Sequence, residues 1–231
     1  MGRRIGSSIG DSKNERIPKR EMMEIVLLCL LAYLLGSIPS SVWLGRIVYG
    51  KDIREHGSKN AGATNTFRVF GKQLGLIVLT LDIGKGVLAM VLANHYIPSF
   101  PTNHLSDDLM SILAAISCFL GHIFPVFVGF KGGKGVATSL GILLGMNPWP
   151  TLVCLGIFIL VFLFSKFVSL ASMSAALSLP IVCYGVFNQN QLLNLGFNLT
   201  IAFLVIIAHR KNIIRLLKKE ERRMNFGNQK L

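Results

Sequence analysis

Four windows of the chain contain no Asp, Glu, Lys or Arg: Ile25 to Leu44, Leu109 to Phe130, Gly135 to Ser165 and Phe167 to His209. A helix rises about 1.5 Å per residue and the hydrocarbon layer is roughly 30 Å thick, so about 20 apolar residues cross it. The third window is too long for one comfortable crossing, and its interior reads NPWP at 147–150. Pro148 and Pro150 lack an amide donor and interrupt a helix, which divides the window into a short helix and a normal one. The fourth window divides at FNQNQ, 187–191. A further apolar stretch, Gln73 to Ala93, is interrupted only by Asp82 and Lys85, an i, i+3 pair that can neutralise each other. With one more break near Lys166, the pattern predicts an all-α integral membrane protein of about seven transmembrane helices.

The basic residues orient these spans. Asn94 to Asp108 has no Lys or Arg, and neither do the NPWP and NQNQ turns. Arg46 to Lys72 has six, KGGKG (131–135) has two, position 166 has one, and the tail from Arg210 onward has eight. Cytoplasmic loops carry the excess of Lys and Arg, so these segments are expected inside, with the N-terminus outside and the C-terminus cytoplasmic. Residues 1–23 run against this, with Arg3, Arg4, Lys13, Arg16, Lys19 and Arg20 on the wrong face. Either they are a weak vote outweighed downstream, or the native start is Met22 or Met23; the second reading is preferred. The expected organisation is a basic extension over 1–23, disordered or not native, a single transmembrane domain over 24–223, and a polar tail over 224–231.

Composition narrows the class. With 52% hydrophobic and 15% charged residues, the chain cannot cover a soluble globule with polar side chains. The formal net charge of +13 does not point to nucleic acid, because basic loops are ordinary in membrane proteins and no stacking-aromatic array accompanies them. Cys29, Cys118, Cys154 and Cys183 stand singly within expected spans and are read as packing residues. No cluster of His, Cys and acidic residues stands at metal-ligand spacing, so neither a metal nor another cofactor is called for.

Three polar segments carry candidate chemistry. EHGSKNAGATNTFRVFGKQLG, 55–75, is dense in glycine, hydroxyl and amide side chains and contains Arg68. Ser58, Asn60, Thr64 and Asn65 offer hydrogen bonds, and a planar guanidinium suits a phosphate. The segment is also long for a plain helix connection. KGGKG is not a nucleotide P-loop, since Val128 stands five before Gly133 and Gly135 follows Lys134. It is read as a turn whose amides at Gly132 and Gly133 are open to an anion, with Lys134 entering the next helix. The plainer alternative is a pair of snorkelling lysines. In HRKNIIRLLKKEERR, 209–223, His209 and Asn212 share a helix face, on what is otherwise a basic amphipathic anchor.

GSIPSSVWLGR (36–46), GSKNAGATNTFRVFGKQLG (57–75), GHIFPVFVGFKGGKGVAT (121–138), SLAS (169–172) and HRKNIIRLL (209–217) resemble the successive motifs of the PlsY family. These are bacterial membrane acyltransferases that move a fatty acyl group from acyl phosphate to the sn-1 hydroxyl of glycerol 3-phosphate. The resemblance spans Glu24 to Arg223. It implies a seven-helix bundle of the bacterial cytoplasmic membrane, no cofactor, and transient contact with the enzyme that makes acyl phosphate. It assigns Ser58, Arg68, Lys134, His209 and Asn212 to catalysis and Asn60, Thr64, Asn65, Gly132 and Gly133 to phosphate binding. Three positions depart from the family pattern: Lys59 replaces a glycine in G-S-G-N, Gly84 replaces a bulky apolar residue, and Lys219 replaces a frequent glycine.

The residue inventory agrees with direct transfer. No histidine has Asp five positions later, the residues there being Ala61, Phe100, Leu109, Phe127 and Ile214, and there is no G-x-S-x-G elbow. Acyl phosphate is a mixed anhydride with a good leaving group, so proximity and charge neutralisation suffice. Either a substrate phosphate oxygen or His209 can take the hydroxyl proton. A transporter of phosphorylated molecules would use similar loops, but it would also show internal repeats, and none is seen.

Overall fold

A computed structural model describes residues 18–97 and 106–224; most of the N-terminal extension, residues 98–105 and most of the C-terminal tail lie outside the described residues. Within them the chain forms ten α-helices: α1 (Lys19–Gly36), α2 (Ser40–Tyr49), α3 (Ala63–Phe70), α4 (Lys72–Tyr96), α5 (Asp107–Ile123), α6 (Val136–Met146), α7 (Pro148–Ser165), α8 (Val168–Ile181), α9 (Leu192–Ala208) and α10 (Arg210–Leu217). Five segments are long and apolar enough to cross a membrane, namely Lys19–Tyr49, Lys72–Tyr96, Asp107–Val128, Pro148–Ser165 and Val168–Val186. α9 and α10 taken together are also long and apolar enough, with a 59° bend between them. The expected count of seven needs α6 as well, and its 11 residues rise only about 16 Å.

The breaks follow local chemistry. α6 stops at Met146, and Pro148 opens α7, where a missing amide costs nothing. Lys166 ends α7 in the left-handed region at φ 60°. Pro180 lies inside α8 just ahead of a π turn over Val182–Val186, and the chain then turns before α9. α1 begins at Lys19, within the last residues of the 1–23 extension. The Arg20–Glu24 ion pair at 3.0 Å, one turn apart, favours the helix there.

Helices α1, α4, α5, α6 and α9 surround a core of Ala32, Met90, Met110, Phe119, Ile142 and Ile201. Outward-facing side chains such as Phe164, 88% exposed, suit lipid rather than water. A smaller cluster of Val42, Ile53, Ala61, Phe70 and Leu74 underlies the loop between α2 and α3. Inside the span of α4, Lys85 Nζ meets Asp82 Oδ1 at 2.9 Å and donates to the Ile38 carbonyl at 2.8 Å, while Ser40 Oγ donates to Asp82 at 3.1 Å. The break at Pro39 frees that carbonyl, and the paired lysine takes it up.

Helices α4 and α6 touch backbone to backbone. A Cβ at Gly86 would lie 2.8 Å from Ile142 N, and one at Gly141 would lie 2.9 Å from Ile83 C. Small residues of this kind let membrane helices approach closely. Gly86→Ala and Gly141→Ala are each expected to cost about 1–3 kcal/mol, read as a lowered thermal unfolding midpoint in detergent. Gly84→Ala, with open space beside it, is expected to leave the midpoint unchanged or raise it.

Candidate anion site between three loops

Asn65, on the inner face of α3, organises the first loop. Its Nδ2 donates to the carbonyls of Ile53 (3.2 Å), His56 (3.0 Å) and Asn60 (3.1 Å), and its Oδ1 accepts from the Ser58 N–H at 2.8 Å. With the residue 1% exposed, its polar atoms are spent on the loop itself. In this fold Asn65 serves as a scaffold: a buried amide takes the nearest backbone partners, and here the loop supplies them. Ser58, Asn60 and Thr64 remain half-buried on the curl that Asn65 shapes. Lys59 has φ 60°, the left-handed backbone that a glycine would adopt, and its side chain is exposed.

The second loop also departs from expectation. Gly132 N–H donates to the Ile123 carbonyl at 3.1 Å and Gly133 N–H to the His122 carbonyl at 3.2 Å. These amides are not open to an anion, because the turn folds back on the end of α5. What the glycines supply is room. A Cβ at Gly132 would come within 2.6 Å of the Pro125 ring, and one at Gly133 within 2.6 Å of the Ala61 carbonyl. First and second loops therefore lie against each other at Ala61 and Gly133.

The third segment completes the arrangement. His209 sits at the break between α9 and α10, 2% exposed, with Nδ1 at 2.8 Å from the Val205 carbonyl. A carbonyl only accepts, so Nδ1 carries the proton, and the neutral ring leaves Nε2 as an acceptor. On α10, Asn212 Oδ1 accepts from Lys134 Nζ at 2.5 Å and its Nδ2 donates to Glu221 Oε1 at 2.7 Å. Ser169 Oγ donates to the same oxygen at 2.8 Å. Glu221 returns to the site because α10 ends in a left-handed turn at Lys219, φ 59°, with Glu220 N–H on the Arg215 carbonyl at 2.7 Å. Arg68 Nη2 donates to the Arg222 carbonyl at 3.0 Å, while its Nε is buried with no hydrogen-bond partner.

Asn65, Gly132 and Gly133 thus spend their polar groups within the loops. Lys134, Asn212, Arg68 and His209 converge with Glu221 and Ser169, which were not assigned from the sequence. Ser169 stands in the SLAS motif, and Glu221 is a carboxylate embedded in a basic tail; those were the available signals. Burial pulls Lys134 down to about 8, opposed by Glu221 and assisted by Arg68 and Arg215. Burial likewise lowers Arg68, with Glu221 opposing. A neutralising carboxylate amid two desolvated cations marks a place where negative charge is favoured.

A family model described as glycerol-3-phosphate acyltransferase matches residues 26–219. A glycerol-3-phosphate acyltransferase of Fusobacterium nucleatum subsp. nucleatum is 44% identical over 197 residues, covering 85% of this chain and 96% of its own. One from Staphylococcus carnosus is 41% identical over 205 residues, covering 88% and 100%. The crystal structure of PlsY, an integral membrane glycerol 3-phosphate acyltransferase, in its glycerol 3-phosphate form superposes with a TM-score of 0.77 at 35% identity, over 87% of this chain and 96% of that one. The lysophosphatidic acid form gives 0.72 at 34% identity, over 88% and 96%.

Because burial favours the neutral amine, the Lys134 cation is present below its lowered pKa of about 8 and is lost as pH rises through it. Sulfate keeps its charge across this range and is a suitable probe. Its affinity, measured by titration calorimetry, is expected to fall about tenfold between roughly pH 7 and 9. Lys134→Arg, which holds its proton, is expected to flatten that dependence.

Proposed function

The chain belongs to the glycerol-3-phosphate acyltransferase family, and on that footing we propose that it transfers a fatty acyl group from acyl phosphate to the sn-1 hydroxyl of glycerol 3-phosphate. The products are lysophosphatidic acid and inorganic phosphate, and the step opens phospholipid synthesis. The observation that carries this reading is that Arg68, Lys134 and the His209–Asn212 pair, drawn from three distant segments, come together near Glu221: Asn212 bonds both Lys134 and that carboxylate, and the charges of Lys134, Arg68 and His209 feel it.

In the proposed reaction Arg68 and Lys134 neutralise the phosphates of donor and acceptor, and Asn212 orients Lys134. Ser58, Asn60 and Thr64 add hydrogen bonds from the first loop. The glycerol hydroxyl oxygen bonds to the acyl carbon while the carbon–oxygen bond of the anhydride breaks, and the electron pair leaves on phosphate. The hydroxyl proton passes to a substrate phosphate oxygen, with no covalent enzyme intermediate. Holding two anionic reactants in contact supplies effective concentration, and fixed cations in a desolvated site supply charge stabilisation.

The distribution of basic residues supports a multi-pass protein of the bacterial cytoplasmic membrane with this site facing the cytoplasm and the N-terminus outside. The bilayer delivers the acyl chain, and the soluble acceptor arrives from the basic face.

Two measurements test the reading. Purified protein in detergent, given acyl phosphate and glycerol 3-phosphate, is expected to release inorganic phosphate and lysophosphatidic acid without any membrane gradient; folded protein that releases neither points to transport instead. His209→Asn is expected to lower turnover at least about tenfold while leaving the pH dependence of the remaining activity unchanged. A loss that erases a histidine-like titration would make His209 the base.

A further inference from the structure

Arg54 lies outside the cluster around Glu221, yet its guanidinium is almost fully engaged. Nε and Nη2 meet the Asp52 carboxylate at 3.0 and 2.7 Å, and Nη1 reaches the carbonyls of Val128 at 2.7 Å and Lys131 at 3.4 Å. Asp52 in turn caps the 3₁₀ turn Ile53–Glu55 by accepting from the Arg54 N–H at 2.9 Å, and it takes a second cation from Arg46 at 2.8 Å. The next residue inward, Ile53, is fully buried, and its carbonyl accepts from Asn65. Arg54 is therefore rooted in the first loop and bonded to the second.

The turn it reaches needs an external hold. Gly129 and Phe130 are both left-handed, at φ 71° and 59°, and the Phe130 side chain is 57% exposed, so its own packing does not fix it. A bulky residue keeps that backbone only when its surroundings impose it. The end of α5 and Pro125 just beyond it take N–H groups of the turn: Phe130 on the Pro125 carbonyl, Gly132 on Ile123, Gly133 on His122. Arg54 takes its carbonyls from the opposite side. Lys134 follows directly, half-buried and bonded to Asn212.

We propose that Arg54 is a positioning residue for acyl transfer: by cross-bridging the two loops it holds the Val128–Lys131 turn, and through it places Lys134 in the anion site. This rests on the reading of Lys134 as a phosphate ligand. The fork geometry is the reason for arginine, since one planar group must serve a carboxylate and two carbonyls at once, which a lysine cannot do. Asp52 stays ionised for this purpose: the Arg54 side chain, ahead of Arg46, holds its carboxyl far below the usual range.

The test uses the full chain in detergent with phosphate release as the readout, and circular dichroism with size exclusion to verify folding. Arg54→Ala is expected to lower kcat/KM at least about tenfold. It is also expected to move the alkaline limb set by Lys134 upward from about pH 8, because a released turn returns the amine to water. Arg54→Lys and Asp52→Asn, which keep most of the local volume, should show the same shift in weaker form and serve if Arg54→Ala does not fold. Wild-type kcat/KM in these variants, or a loss with the limb unmoved, overturns the proposal. If the wild-type protein itself releases no phosphate, the proposed reaction fails, and the pH midpoint of sulfate binding in wild type and Arg54→Lys then decides the role of Arg54 alone.

Discussion

At several helix breaks beside the anion site, a side chain reaches across to a backbone carbonyl. Lys85 serves Ile38 at the Pro39 break, Tyr33 Oη serves Phe124 at the end of α5, Arg54 serves Val128 in the turn beyond it, and His209 Nδ1 serves Val205 where α9 gives way to α10. An unpaired polar group in lipid costs several kcal/mol, and each of these side chains gives a carbonyl a partner or adds one to the backbone N–H it already has. Three of the four join segments far apart in the chain. The same requirement that permits broken helices therefore locks the loops between them into one body.

That body concentrates positive charge where water is scarce. Lys134 and Arg68 are both held with their charged forms disfavoured by burial, and Glu221 relieves part of the cost. Arg68 Nε is buried with no protein acceptor, although the same guanidinium bonds a tail carbonyl. A site built purely for stability would pair these donors or expose them. Donors kept desolvated and aligned act strongly on a phosphate because no solvent reorganisation is needed when it arrives.

Much of this was legible in the residue pattern. Apolar windows located the five segments able to span, Pro148 and Lys166 marked real ends, and the basic segments singled out Arg68, Lys134, His209 and Asn212, which the fold brings together. Less legible was how each polar group is spent. An amide in a glycine-rich loop has free valences on paper, which suits a ligand role; in the fold the Asn65 Nδ2 is spent on carbonyls of the same loop and its Oδ1 accepts from the Ser58 N–H. Gly132 and Gly133 looked like open amides, and the end of α5 takes both. Glu221 and Ser169 carried no local signal strong enough to place them.

The order of apolar and polar residues by itself determined the membrane class, the breaks between helices and the charge types available for chemistry, because hydrophobic transfer and helix interruption act over neighbouring residues. Only the tertiary structure decided which donors stay unspent, that Glu221 shares the site with Lys134 and Arg68, and that Arg54 ties the first loop to the second. Those outcomes depend on partners far away in the chain, and a hydrogen bond or desolvated ion pair takes its energy from distance and burial that no local window contains.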